Sequence, residues 1–315
     1  MNTLHVPILD VSRLDDPATL RALDQACRDW GFFQVTAHGV ADPVCEDLLA
    51  AARRFFALPR PEKRRIARSA DNPWGFFDRE LTKNTRDWKE IFDFGPPGSA
   101  AQRPQWPVGV PGFESAVRAY YAACAELAER LVNAIGVNLG MPPGHLCKGF
   151  GPRQTSFVRL NHYPPCPAPA RPEGAHTPDQ GWLGVNHHTD SGALTVLLQD
   201  QQPGLQVFHE GCWHLVEPLA GAFVVNIGDV VQVWSNDRYP AALHRVLTNS
   251  DRRRLSAPFF YNPDYATDYG PLPTTIDASH PPRYRPINWG EFRARRAAGD
   301  YADLGAEVQV ADYAV

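Results

Sequence analysis

The chain has 315 residues, a net charge of −4 and 21 % charged residues, with no long block of a single sign. That balance argues against nucleic acid and anionic membranes as partners, because both select for concentrated basic surface. No segment reaches the roughly eighteen apolar residues that a membrane span needs, and the start Met1-Asn2-Thr3-Leu4-His5 carries no targeting pattern, so a soluble, cytoplasmic protein is expected. The six cysteines, Cys27, Cys45, Cys124, Cys147, Cys166 and Cys212, form no Cys-x-x-Cys pair, as suits reduced thiols in a cytosolic enzyme.

Val6 to Asp10 reads as a first short strand. Asp16 and Pro17 open a helix whose apolar face is Leu20, Leu23, Ala26 and Cys27 and which Gly31 ends. Phe32 to Thr36 is a strand, and Asp42-Pro43 begins a second helix through Leu48, Leu49, Ala52, Phe55 and Phe56 to Pro59. Periodicity then weakens from Pro61 to Gly112, a connection in which Phe76 and Phe77 stand as pocket-wall residues, with core packing as the simpler account. Arg79, Lys83, Arg86 and Lys89 in the same stretch can receive an acidic group, but a solvated surface accounts for them better.

Phe113 to Leu139 is the longest helical pattern, an apolar stripe from Val117 to Ile135 that Gly136 and Gly140 terminate. The second half turns to strands: Thr155 to Tyr163, Thr195 to Gln199, Gln206 to His209, Trp213 to Val216, Ala222 to Ile227, Val230 to Trp234, Ala242 to Thr248 and Arg254 to Tyr261. Short strands at this spacing predict a mixed α+β fold with a double-stranded β-helix core, a cupin-like jelly roll, supported by N-terminal helices. Residues 1–110 then pack as an N-terminal region on a core of 111–315, in one compact unit. The Pro- and Gly-rich segment 168–181 is either a lid or a plain surface loop.

Chemistry concentrates in Asn186-His187-His188-Thr189-Asp190. On an extended backbone His188 and Asp190 project to one side, while His187 and Thr189 point to the other. His244, in a second strand-like run, adds a third ligand, and two histidines with one carboxylate make the facial triad used by non-haem Fe(II) oxygenases. Ten residues further on, Arg254-Leu255-Ser256 aligns a guanidinium and a hydroxyl on one strand face, a pair suited to gripping a carboxylate. Phe260 lies on that face as a further wall residue, and Phe208 is core or pocket wall. Asn226, Gly228 and Asp229 read as a structural turn.

The order of these pieces resembles the isopenicillin N synthase-like family of iron and 2-oxoglutarate-dependent oxygenases. The resemblance is carried by Trp30-Gly31-Phe32-Phe33, Asn161-His162-Tyr163-Pro164-Pro165-Cys166-Pro167, the His188-Thr189-Asp190 box, Asn226-Ile227-Gly228-Asp229, His244-Arg245-Val246 and Arg254-Leu255-Ser256-Ala257-Pro258. It implies Fe(II) held by His188, Asp190 and His244, with 2-oxoglutarate and dioxygen as cosubstrates and ascorbate as a stimulant. Arg254 and Ser256 would hold the far carboxylate of 2-oxoglutarate, with Tyr163 and Asn161 beside them. The implied reaction is hydroxylation, desaturation or cyclisation of a small molecule in secondary metabolism, with release of succinate and carbon dioxide. The carboxylate at Asp190 speaks against halogenation. Two alternatives stand: a 2-oxoglutarate-independent oxidase on the same scaffold, and a non-catalytic metal-binding sensor.

Overall fold

The computed structural model describes residues 5–96, 102–171, 181–299 and 308–315, the side chains of 297–299 excepted. The chain enters through β1 (Ile8–Asp10), α1 (Pro17–Asp29), β2 (Phe32–Thr36) and α2 (Asp42–Phe56). Asp16 caps α1 as its position foretells, accepting from the amides of Ala18 and Thr19. A short helix α3 (Arg60–Arg64) follows, then β3 (Gly75–Phe77), β4 (Leu81–Thr82), β5 (Thr85–Arg86) and β6 (Glu90–Phe94). Helix α4 (Phe113–Asn138) continues through Gly136 and stops only where Gly140 takes a left-handed φ of 84°.

The second half runs through β7 (Phe157–Tyr163), β8 (Leu183–His188), β9 (Leu194–Gln199), β10 (Leu205–His209), β11 (Cys212–Leu215) and β12 (Phe223–Ile227). Helix α5 (Asp229–Trp234), β13 (His244–Leu247), β14 (Arg254–Tyr261), β15 (Asp268–Tyr269), β16 (Ile287–Asn288) and α6 (Trp289–Gly299) complete it. The fold is mixed α/β with two large, mainly antiparallel sheets. The larger has eight strands in the order β1-β2-β12-β9-β14-β7-β6-β3, and the smaller four in the order β11-β10-β13-β8. Strands from both sides of residue 110 therefore share one sheet.

Two apolar cores explain the layering. One joins Leu23, Leu48, Phe55, Leu127 and Leu131 of α1, α2 and α4 to Val158, Val196, Val225 and Phe259 of the large sheet. Tyr120 fastens α4 to it with a 2.6 Å hydrogen bond to the Ala257 carbonyl. The other core lies between the sheets, where Phe32, Tyr163, Leu197 and Val224 meet Val185, Leu205 and Val246. Alternation makes this possible: Val158 and Leu160 of β7 face the helices, and Tyr163, of opposite parity, faces the smaller sheet.

Three expectations are corrected. Val230–Trp234 is not a strand but lies in α5. Both edges of β12 are already taken by β2 and β9, and the amides of Gly228, Asp229 and Val230 are drawn to the carbonyls of Ala193, Asp190 and Gly192. With no free strand edge to pair, the β-propensity of Val-Val-Gln-Val-Trp is overridden. Residues 90–94, read as irregular, form β6 between β7 and β3, its charged residues hidden by ion pairs. Asp190 lies beyond the end of β8 rather than on it. Of segment 168–181, residues 172–180 lie outside the described residues, and its ends are held together by hydrogen bonds between Ala168, Ala170 and Trp182. No described helix is long and apolar enough to cross a membrane.

Candidate active site

The site sits between the two sheets. His188 ends β8, His244 starts β13, and antiparallel pairing sets them directly opposite each other with ring centroids 4.3 Å apart. The loop after β8 turns Asp190 back toward them, its Oδ1 lying 3.4 Å from His188 Nε2 and 3.7 Å from His244 Nε2. One ligand atom from each residue falls within 4.8 Å of the others, and this is the one such group of His, Cys, Asp or Glu among the described residues.

The hydrogen bonds around the triad leave one atom of each residue turned to the centre. His188 Nδ1 lies 2.8 Å from the Asn186 carbonyl and His244 Nδ1 2.9 Å from the Ala242 carbonyl. A carbonyl can only accept, so both rings carry a proton on Nδ1 and turn Nε2 to the centre. Asp190 Oδ2 accepts from Thr195 Oγ1 and, at 2.8 Å, from Asn226 Nδ2, which leaves Oδ1 for a metal. Burial pushes the Asp190 carboxyl up, but in the acid range where it would titrate the protonated His244 and His188 imidazoles and the bond from Thr195 outweigh it and hold it far below the usual range. Burial and the neighbouring His188 imidazole push His244 down to about 4, so its ring is neutral at pH 7, the form that binds metal.

Beside the triad, β14 and β7 pair in a register that sets Arg254 opposite Tyr163 and Ser256 opposite Asn161. Arg254 is 1 % exposed; its Nε donates to the Gln202 carbonyl at 3.1 Å and its Nη2 to Gln199 Oε1 at 3.0 Å. Its Nη1 has no hydrogen-bond partner among the described residues. Asn161 Nδ2 lies 3.4 Å from Ser256 Oγ, and the Tyr163 ring centroid 5.1 Å from the guanidinium carbon. The ring fits because residue 184 is glycine, where a Cβ would come within 2.6 Å of it. A buried guanidinium with an unused donor, next to a hydroxyl, fits a dicarboxylate cosubstrate. Two imidazoles with Nε2 turned to the centre and a carboxylate fit Fe(II).

A cavity of about 150 Å³ contains both groups. Alternation along β7 lines it with Phe157, Arg159, Asn161 and Tyr163, and along β14 with Arg254, Ser256, Pro258 and Phe260. Its outer part has a buried ion network: Lys89 Nζ lies 2.8 Å from Glu80 Oε2 and 3.2 Å from Asp87 Oδ2, and Arg159 lies 2.6 Å from Glu80 and 2.8 Å from Asp93. Burial pushes Glu80 up, but Arg159, Lys89 and Arg68 outweigh it and hold its carboxyl well below the carboxylate range. Asp87 Oδ1 also accepts from the amide and side chain of Asn186, tying residues 80–89 to the strand that bears His188.

The expected wall residues divide. Phe260 lines the cavity, stacked on Phe157 with centroids 4.7 Å apart. Phe76 is 1 % exposed and packs against Phe55 in the helix-facing core, because β3 turns it to that side of the sheet. Phe77 lies under the Arg68 guanidinium at 4.0 Å, and Phe208 is 40 % exposed beside Trp213; neither lines the cavity. Lys89, assigned to solvated surface, is buried in the ion network. Asn226, read as a turn residue, is a strand residue bonded to Asp190. A polar side chain inside Val224-Val225-Asn226-Ile227 was its available signal. Thr195, Gln199 and Glu80 reach the site from separate parts of the chain and carry no local sequence signal.

Residues 154–263 match the family model of the 2OG-Fe(II) oxygenase superfamily, and residues 6–109 that of the non-haem dioxygenase in morphine synthesis N-terminal region. Jasmonate-induced oxygenase 4 of Arabidopsis thaliana is 35 % identical over 298 residues, covering 92 % of this chain and 82 % of its own. The chain belongs to the 2OG-Fe(II) oxygenase superfamily. Flavanone 3-dioxygenase 2 of Oryza sativa subsp. japonica is 33 % identical over 294 residues, covering 91 % of this oxygenase and 82 % of the relative. The crystal structure of JOX2 in complex with 2OG, Fe and JA superposes with a TM-score of 0.81 at 31 % identity, covering 92 % of this chain and 84 % of that one. The oxygenase is thus an Fe(II)- and 2-oxoglutarate-dependent oxidoreductase, with dioxygen as its other cosubstrate.

Proposed function

We propose that His188, Asp190 and His244 hold the iron, that Arg254 and Ser256 hold the far carboxylate of 2-oxoglutarate, with Tyr163 and Asn161 beside them, and that the substrate is a small molecule bound in the outer cavity. The observation that carries this reading is the unused Nη1 of buried Arg254 in the same cavity as the triad. Iron with 2-oxoglutarate supplies oxidising power for an unactivated C–H bond, and the products of the cosubstrate are succinate and carbon dioxide. The chain's own residues orient and enclose. Thr195 and Asn226 fix Asp190, the Asn186 and Ala242 carbonyls fix the imidazoles, and Phe32, Val185, Leu197 and Val246 keep water from the reacting centre.

We read the two facing sheets as a jelly roll whose mouth is this cavity, with α1, α2 and α4 as its supporting helices. Hydroxylation, desaturation and cyclisation share the site, and the named relatives, a jasmonate-induced oxygenase and a flavanone 3-dioxygenase, favour a role in secondary metabolism. The test is an aerobic screen of small-molecule substrates with 2-oxoglutarate and Fe(II). Succinate formed in step with substrate consumed is the expected result. Substrate oxidation that proceeds undiminished without any 2-oxo acid would overturn the assignment of Arg254 and Ser256.

A further inference from the structure

The outer cavity is polar in an uneven way. Lys89 and Arg159 are committed to Glu80, Asp87 and Asp93 within the buried network. Arg296, on α6, donates to the carbonyls of Thr189 and Val308 and to Gln309 Oε1, and its charge faces buried Asp229. Arg293 stands three residues earlier on the same helix, so it shares the cavity-facing side with Arg296. It is half-buried, and no carboxylate among the described residues pairs with it.

Its surroundings give a second constraint. The Arg293 guanidinium carbon lies 5.9 Å from the Phe157 ring centroid, and that of Arg159 lies 5.8 Å from the same ring. Phe157 stacks on Phe260, and Leu81 and Pro258 continue the wall. The register of β7 against β14 makes a ruler of this wall, with Arg254/Tyr163 and Ser256/Asn161 at the inner end and Phe260/Phe157 at the outer end. Arg293, with no carboxylate partner among the described residues, therefore stands beside the apolar surface at the Phe260/Phe157 end of the cavity.

Resting on the iron and 2-oxoglutarate assignment above, we propose that Arg293 anchors the substrate through a single carboxylate, so that the substrates of this oxygenase are amphipathic monocarboxylic acids. The carboxylate pairs with Arg293 at the mouth, and the apolar body lies on Phe157 and Phe260 with its reacting C–H turned inward. The single charge of a carboxylate matches the single charge of Arg293.

The test uses full-length protein loaded anaerobically with Fe(II) and 2-oxoglutarate, whose keto-acid absorption band reports the inner site independently. A series of alkyl and aryl-substituted monocarboxylic acids of eight to fourteen carbons is titrated against the methyl ester and primary alcohol of each, with binding read by calorimetry. Acids are expected to bind at least tenfold more tightly than their esters and alcohols. Arg293→Ala should abolish that preference, and Arg293→Lys should restore part of it. Absence of the band would sink the inner-site assignment instead. With the band present, equal binding of acids and esters, no binding of any acid, or an undiminished preference in Arg293→Ala overturns the proposal.

Discussion

The two ends of the cavity solve the problem of burying polar groups in opposite ways. At the inner end every ligand atom has a neighbour that fixes it and one valence left over: Nε2 on each histidine, Oδ1 on Asp190, Nη1 on Arg254. At the outer end Glu80, Asp87, Asp93, Arg68, Lys89 and Arg159 largely satisfy one another. Open valences mark the place where ligands bind, and closed networks hold a wall in shape. Substitutions at the two ends should therefore fail differently, through binding at the inner end and through stability at the outer.

The largest effect belongs to the triad. Asp190→Ala and His244→Ala should each abolish substrate oxidation and iron retention while the protein stays folded, as measured by iron content and circular dichroism. A variant that keeps iron and full turnover removes its residue from the ligand set. Next comes Glu80→Gln, which leaves Arg159 and Lys89 short of a buried counter-charge and should cost about 3–5 kcal/mol of stability in denaturant unfolding at pH 7. The acid limb gives its signature. Because Glu80 has a folded pKa below its unfolded one, its contribution is complete above the ordinary glutamate pKa of about 4.3 and fades as pH falls through the lower folded value. The gap between wild type and Glu80→Gln should narrow below about pH 4; a gap that is constant down to acid unfolding would mean that the network is not ionic in origin.

Arg254→Ala should weaken 2-oxoglutarate binding by about 2–5 kcal/mol without comparable loss of stability, checked by the concentration dependence of turnover on the cosubstrate. Smallest of the four is Asn226→Ala, which takes one of two donors from Asp190 Oδ2 and should lower iron affinity about 10–100-fold. Equal iron affinity in this variant would assign the orientation of Asp190 to Thr195 alone.

The same contrast governs what could be read from the sequence. The inner end was legible in part: Arg254 and Ser256 share a face of β14 as their separation reports, whereas His188 and Asp190 converge because the loop after β8 turns Asp190 back. The helices from Pro17 and Asp42 and the long helix ending before Gly140 were legible through caps and periodicity. Partners brought in from other strands were not. Asn226 meets Asp190 only because β12 pairs with β9 and sets it opposite Thr195, and Lys89 looks like surface charge until β6 and β7 pair and Glu80 comes within reach. Phe76 failed as a wall residue because nothing local tells which face of β3 meets the helices, and Phe77, on the other face, lies under the Arg68 guanidinium. For residues 230–234 the propensity for strand was real, and the missing free edge decided against it.

The measurement that bears most directly on the assignment of the inner end is an anaerobic titration of the Fe(II)-loaded protein with 2-oxoglutarate, followed in the visible range. A weak charge-transfer band should appear, vanish in His244→Ala, and need much more 2-oxoglutarate to saturate in Arg254→Ala. A band of unchanged strength and affinity in both variants would contradict the assignment of the triad and of the carboxylate clamp together.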